Sequence, residues 1–200
     1  MTSQLRPIAL AAALGLFATT ASAGACDPGK PGADLTADDA QAVYDCFSDE
    51  MKAGYDSGAK RWIPADFVAD YRDWTLASAH PAAPGFHGGR FLTTWVNEAG
   101  ADEYLEYASP RGPMPAGTRI AKESFSVNDE GKVAAGPLFL MEKVEEGTSP
   151  ETDDWYYMMV SPGGAPVAVN VVTACSACHQ GSFGASDGMG YPVPSARITN

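Results

Sequence analysis

Between Thr36 and Gly54 apolar side chains recur at three- and four-residue steps: Ala40, Val43, Tyr44, Phe47 and Met51. That spacing predicts an amphipathic helix, and Thr36 with Asp39 forms a capping-box pair at its start. A second helix is predicted over Pro64–Ser78, with Phe67, Tyr71 and Trp74 on one face and Pro64 in its first turn. These aromatics read as core residues. After the Pro- and Gly-rich stretch 80–89 the pattern changes. Arg90–Val96 is a strand candidate, followed by a short helix over Ala99–Tyr107 capped by Asn97. Thr118–Val127 and Gly136–Glu145 read as strands joined by the turn Asn128-Asp129-Glu130-Gly131, the strongest hairpin signal in the chain. Trp155–Val160 forms a further strand before Pro162-Gly163-Gly164. No internal repeat or low-complexity segment interrupts the order. Helices followed by a run of antiparallel strands predict an α+β fold, with N-terminal helices packed on one face of an antiparallel β-sheet. The other face is left for something else to cover.

The start of the chain changes the picture of where this fold works. MTSQLR, the apolar run Pro7 to Ala21 and then Ala21-Ser22-Ala23 have the form of a secretory signal peptide cut after Ala23. The run falls short of the roughly 20 apolar residues of a membrane span. Removing 23 of 200 residues leaves 177, enough for one structural domain with its own core. The expected division is a leader over 1–23, a helical segment over 24–86 and a sheet domain over 87–200. Loss of Arg6 with the leader moves the formal charge from -12 to -13. So acidic a surface disfavours nucleic acid and anionic membranes. The expected location is the periplasm, where Cys26 and Cys46, flanking the first helix, are free to form a disulfide. Closing about 20 residues in this way contributes roughly 3 kcal/mol. An alternative reading of Ala23-Gly24-Ala25-Cys26 is a lipoprotein site that leaves Cys26 lipidated.

The remaining cysteines carry the chemistry. Cys175-Ser176-Ala177-Cys178-His179 fits three patterns: a redox dithiol, half a metal site, or a haem attachment motif. A thioredoxin-like dithiol follows a strand in a βαβ unit, and none is predicted. A zinc site needs further ligands, and His80 and His87 lie far off in sequence at no ligand spacing. Covalent haem remains: two thiols at this spacing reach the two vinyl groups on one porphyrin edge, and His179 is carried under the iron as axial ligand. Export agrees, since c-type attachment takes place outside the inner membrane. One covalent haem c, held through Cys175 and Cys178, is the expected cofactor.

A C-terminal motif behind a sheet is unlike most small c-type electron carriers. The segments HGGRFLTTWVNEAG (87–100), MPAGTRIAKESF (114–125), GKVAAGPLFLMEKVEEG (131–147), DWYYMMVSPGG (154–164) and CSACHQG (175–181), in this order, resemble the cytochrome P-460 family, which includes cytochrome c′-beta. The resemblance spans roughly 87–190. It implies a homodimer of mostly antiparallel β subunits, each with one haem whose iron has His179 on one side and an open distal side. Members with a lysine–porphyrin cross-link oxidise hydroxylamine to nitrogen oxides and pass electrons to an acceptor such as another cytochrome. Members without it bind nitric oxide or similar gases in an apolar pocket. A plain electron-transfer cytochrome is the third reading, and it requires a sixth iron ligand.

Lys122 is the candidate for the cross-link, or else a solvent-facing strand lysine; Lys143 is a second candidate. By strand alternation Lys122 points with Ile120 and Ser124, whereas Glu123 points with Ala121, Phe125 and Val127. Glu142 and Glu123 are the candidate carboxylate bases for taking protons from substrate, against the alternative that each pairs with a nearby lysine or arginine. Phe91, Phe125, Phe139 and Met141 are expected either as pocket walls or as core. His87 is either a second iron ligand or a turn or surface histidine. Met158, Met159 and Met189 are further sixth-ligand candidates that spacing does not separate.

Overall fold

A computed structural model describes residues 23–59, 62–169 and 172–198. The leader expected over 1–23 lies outside the described residues except for Ala23. Helix α1 runs Ala37–Asp56. Its capping box is formed: Asp39 N–H donates to the Thr36 hydroxyl and Thr36 N–H to the Asp39 carboxylate. Val43, Phe47, Met51 and Tyr55 are buried along one stripe. Cys26 and Cys46 form the expected disulfide, which ties the chain entering α1 to its middle and leaves no Cys26 thiol for a lipid.

The second helix is shorter than its aromatic spacing predicts. Helix α2 covers Ala65–Asp70, a 3₁₀ turn follows over Tyr71–Asp73, and Thr75–Leu76 is already strand β1. The sheet claims these residues: Thr75 and Leu76 pair with Val96 and Trp95, and Ala77 N–H donates to the Thr94 carbonyl. The aromatic face survives the break, since Trp74 still packs on Phe67 with ring centres 5.2 Å apart.

Seven antiparallel strands build the sheet: β2 (Phe91–Val96), β3 (Arg119–Val127), β4 (Val133–Ala135), β5 (Leu138–Lys143), β6 (Trp155–Val160) and β7 (Pro166–Val169) join β1. Their order is β1-β2-β3-β5-β6-β7, with β4 paired to the end of β3. The turn at Asn128–Gly131 therefore leads into β4 and not directly into the expected strand 136–145. Pro137 has no N–H for a ladder, so the chain breaks at Gly136-Pro137 and re-enters as β5 beside Arg119–Lys122. The helix expected over 99–107 forms as a 3₁₀ turn, Glu98–Gly100, and then α3, Ala101–Leu105.

Strand alternation divides the molecule. On one face Phe91, Trp95, Phe125, Leu138 and Leu140 pack with Phe47, Met51, Phe67 and Tyr71 of the helices in one core. On the other, Val96, Ile120, Met141, Trp155 and Tyr157 pack with Tyr104, Met114 and Met189. The fold is α+β, as the sequence predicts, and the face away from α1 and α2 is covered by α3 and the C-terminal segment. No described helix is long and apolar enough to cross a membrane.

Candidate functional site

The Cys-x-x-Cys-His segment folds as a π-helical turn, Val172–Ser176, leading into helix α4, Ala177–Phe183. Positions three and four apart share a helix face, so Cys175, Cys178, His179 and then Phe183 are brought to one side. That side closes over the second sheet face. The resulting cavity, about 300 Å³, is lined by Phe86, His87, Ile120, Lys122, Phe139, Met141, Tyr157, Met159, Cys175, Cys178, His179 and Phe183. Cys175 is half-buried and Cys178 exposed, and both are free thiols.

His179 is buried and held at one nitrogen only. Its Nδ1 lies 2.6 Å from the Gly188 carbonyl, a contact that requires the Nδ1–H tautomer and leaves Nε2 as the lone-pair nitrogen. Burial, with the Lys122 charge nearby, lowers its pKa to about 4, against the opposing pull of the Gly188 carbonyl. The ring is therefore neutral near pH 7, the state that ligates a metal. Gly188 occupies the left-handed region (φ 73), and a Cβ there would stand 3.0 Å from the Gln180 amide nitrogen and 3.4 Å from the Tyr157 hydroxyl. A glycine lets this carbonyl approach the histidine closely.

Lys122 enters the same cavity from β3. It is 7 % exposed and donates to the Gly190 carbonyl at 2.5 Å. With no carboxylate against it, burial drives its pKa from 10.5 down to about 8. The two carbonyls that hold His179 and Lys122 thus come from one short segment, Gly188–Gly190. Sequence reasoning did not find this segment; its only signal was a pair of glycines shortly after the motif. Lys143 shares the sheet face but is engaged elsewhere, pairing with Asp187 at 3.0 Å and donating to the Asp153 carbonyl at 2.7 Å.

The two carboxylates expected as bases lie on the helix-covered face, away from the cavity. Glu123 is fully buried and accepts from the Tyr44 hydroxyl at 2.8 Å, from the Tyr71 hydroxyl and from Arg72 Nε at 2.7 Å. Glu142 accepts from Arg119 Nε at 2.9 Å, and Arg119 also pairs with Asp66 of α2 at 2.7 Å. Alternation decides this: Glu123 and Lys122 are neighbours and point oppositely, and Glu142 follows Met141 of the cavity wall. The four expected wall residues divide in the same way. Phe139 and Met141 line the cavity, whereas Phe91 and Phe125 stack on the helix side with ring centres 4.9 Å apart. Met159 lines the cavity, and Met189 is buried in the core beside it.

His87 belongs to this site and is not a surface histidine. Its ring stacks on Phe139 with centres 4.2 Å apart and lies 6.1 Å from the His179 ring. Among the described residues no group of three or more Cys, His, Asp or Glu side chains could hold a bare metal ion. The donor set fits a metal that brings its own ring: one buried imidazole with a free nitrogen, two thiols beside it, and an apolar cavity against a sheet.

The family model for cytochrome P460 matches residues 68–188. The chain belongs to the cytochrome P460 family. No curated protein matches it. Membership makes this chain a haem-binding cytochrome, with iron as the metal of its site. The matched span includes the whole of β2 to β6, the motif helix and Gly188, whose carbonyl holds His179 Nδ1. The cavity residues fit haem, which would supply iron for ligand binding and one-electron chemistry. Cys175 and Cys178 would anchor it and His179 Nε2 would ligate the iron.

Proposed function

We propose that this protein is an exported c-type mono-haem cytochrome that performs haem-iron chemistry on small nitrogen compounds, with hydroxylamine oxidation as its activity. Cys175 and Cys178 each add S–H across a porphyrin vinyl group, forming two thioethers with no net oxidation. The observation that carries the reading is Lys122: its amine lies buried in the cavity that Cys175, Cys178 and His179 line. Bonding that amine to a porphyrin meso carbon replaces C–H by C–N and releases two electrons and two protons. A peroxide can take these up, leaving two waters. Oxidation of NH₂OH to NO releases three electrons and three protons, and an acceptor cytochrome with a basic docking face would take the electrons one at a time. The acidic surface complements such a partner. A homodimer and a periplasmic location complete the reading.

A second reading has its own observation in favour. Among the described residues no carboxylate lines the cavity, and Phe139, Met141 and Phe183 give it an apolar wall. That character suits capture of nitric oxide without turnover. One experiment separates the two. The holo protein is made in a host with c-type haem maturation, and intact mass, the digest peptide containing Lys122 and the reduced optical spectrum are recorded. Covalent haem, a Lys122–porphyrin peptide, a strongly red-shifted Soret band and hydroxylamine-dependent reduction of an acceptor support the enzyme. An unmodified Lys122 with nitric oxide binding and no turnover supports capture. Absence of covalent haem overturns both.

A further inference from the structure

We propose that Lys143 and Asp187 are positioning residues for the iron: as a buried ion pair they fix the Gly188 carbonyl against His179, and so set how strongly that imidazole donates to the metal. This rests on the haem reading above, and it gives a role to a sheet lysine that the cavity does not use. Asp187 directly precedes Gly188. One of its carboxylate oxygens lies 3.0 Å from Lys143 Nζ, and the other accepts from the Met114 N–H at 2.8 Å. Lys143 ends β5; its N–H donates to the Thr118 carbonyl and its carbonyl accepts from the Gly117 N–H, both at 2.8 Å. The Asp153 carbonyl holds its ammonium a second time, at 2.7 Å. The Asp187 carboxylate is thus tied to the sheet.

The backbone that carries this carboxylate needs such a tie. Asp187 (φ 54) and Gly188 (φ 73) are two successive left-handed residues, where the chain leaves the 3₁₀ turn Gly184–Ser186 that follows α4. Outside glycine this region is uncommon, although aspartate is among the residues enriched there. From this bend the Gly188 carbonyl meets His179 Nδ1 at 2.6 Å. Stability alone explains the ion pair poorly. Its side chains are 8 % and 9 % exposed, and well-packed apolar residues of similar volume would serve folding as well or better. What the pair adds is a fixed place for the chain beside it. Position matters at this carbonyl, because a hydrogen bond on the far nitrogen of a metal-bound imidazole fixes its tautomer and orientation and raises its basicity. A more basic imidazole favours the oxidised metal and lowers the reduction potential.

The test is the midpoint potential of the holo protein, with resonance Raman spectra of its reduced form, after intact mass has shown covalent haem. Charge and position give opposite signs for Lys143→Met. Loss of a nearby positive charge lowers the potential. Slackening of the Gly188 hydrogen bond raises it, by about 59 mV for each tenfold loss of preference for the oxidised metal. Expected in Lys143→Met are a raised potential and a lower iron–histidine stretching frequency. Asp187→Asn keeps an acceptor for the Met114 N–H and a residue that tolerates the left-handed region, but loses the charge. It should move both readings in the same directions. Glu123→Gln, which breaks a buried ion pair on the other face of the sheet, should leave the stretching frequency at its wild-type value, so that destabilisation as such does not account for a shift. A potential that falls or stays unchanged in Lys143→Met overturns the proposal and leaves the haem reading intact. So does a stretching frequency that neither variant moves. Should Lys143→Met fail to fold, Asp187→Asn decides by the stretching frequency, which reports the iron–histidine bond itself. A protein without covalent haem fails the parent reading, and the proposal with it.

Discussion

Replacing Glu123 by glutamine separates a structural carboxylate from a catalytic one. Glu123 is fully buried and joins α1, the 3₁₀ turn after α2 and the sheet through Tyr44, Tyr71 and Arg72. The substitution removes the charge while keeping the shape, and it leaves the partly buried Arg72 guanidinium beside a neutral amide. Breaking one side of a buried ion pair costs about 3–5 kcal/mol. Arg72 keeps its bond to the Ser48 carbonyl at 2.5 Å and a contact with exposed Asp49 at 3.3 Å, which favours the lower end, about 3 kcal/mol. For a chain of this length each kcal/mol lowers Tm by about 2–4 °C, so the melt should fall by roughly 6–12 °C. The assay is thermal unfolding of the haem-loaded protein by circular dichroism, with optical spectra and hydroxylamine turnover below the transition. The spectrum and turnover per folded haem should match the wild type. A variant that melts normally but loses turnover would refute the placement of Glu123 on the structural face.

Lys122→Met should abolish any lysine–porphyrin adduct in the digest while leaving both thioethers, whereas Lys143→Met should leave the adduct in place. Because the neutral amine is the nucleophile and burial lowers the Lys122 pKa to about 8, peroxide-driven adduct formation should rise with pH through about 8; an unperturbed lysine would place the rise near 10.5, read by mass spectrometry across the range. Lys143→Met leaves the buried Asp187 carboxylate with the Met114 N–H but no counter-charge and should cost about 3 kcal/mol in urea unfolding, the low end for a broken buried pair; a midpoint equal to wild type would count against the pair's importance. The double variant Cys26→Ser with Cys46→Ser should lose roughly 3 kcal/mol by the same measurement, without altering the haem spectrum.

How much was readable in advance follows from which signals are local. The capping box at Thr36, the period of α1 and the alternation of β3 are short-range, and each was legible. Alternation separated Lys122 from Glu123 correctly but could not say which face met the motif helix, because that depends on where α4 docks. Strand β1 was hidden inside a helix-like aromatic spacing; its demand comes from β2, some twenty residues on. Strands β4 and β7 are short and carry little periodicity. The Gly188 and Gly190 carbonyls were invisible for another reason, since a backbone oxygen has no signature in the residue type that bears it. His87 was named as a candidate, yet its burial arises from Phe139 and α4, which lie far along the chain.

The adjacency of Lys122 and Glu123 also bears on how β3 finds its partners. A slip of one residue against β2 and β5 would turn every β3 side chain to the opposite face. It would thrust a carboxylate into the haem cavity and an ammonium among Arg72, Tyr44 and Tyr71. The carboxylate would lose Arg72 and its tyrosines, and the ammonium would give up the Gly190 carbonyl to meet a like charge; stranding such buried groups costs several kcal/mol. An apolar pair at these positions would tolerate the shifted pairing far better. The two ionic residues therefore act as a proofreading device during folding: the misregistered sheet is penalised twice, and only the alignment that serves both faces survives.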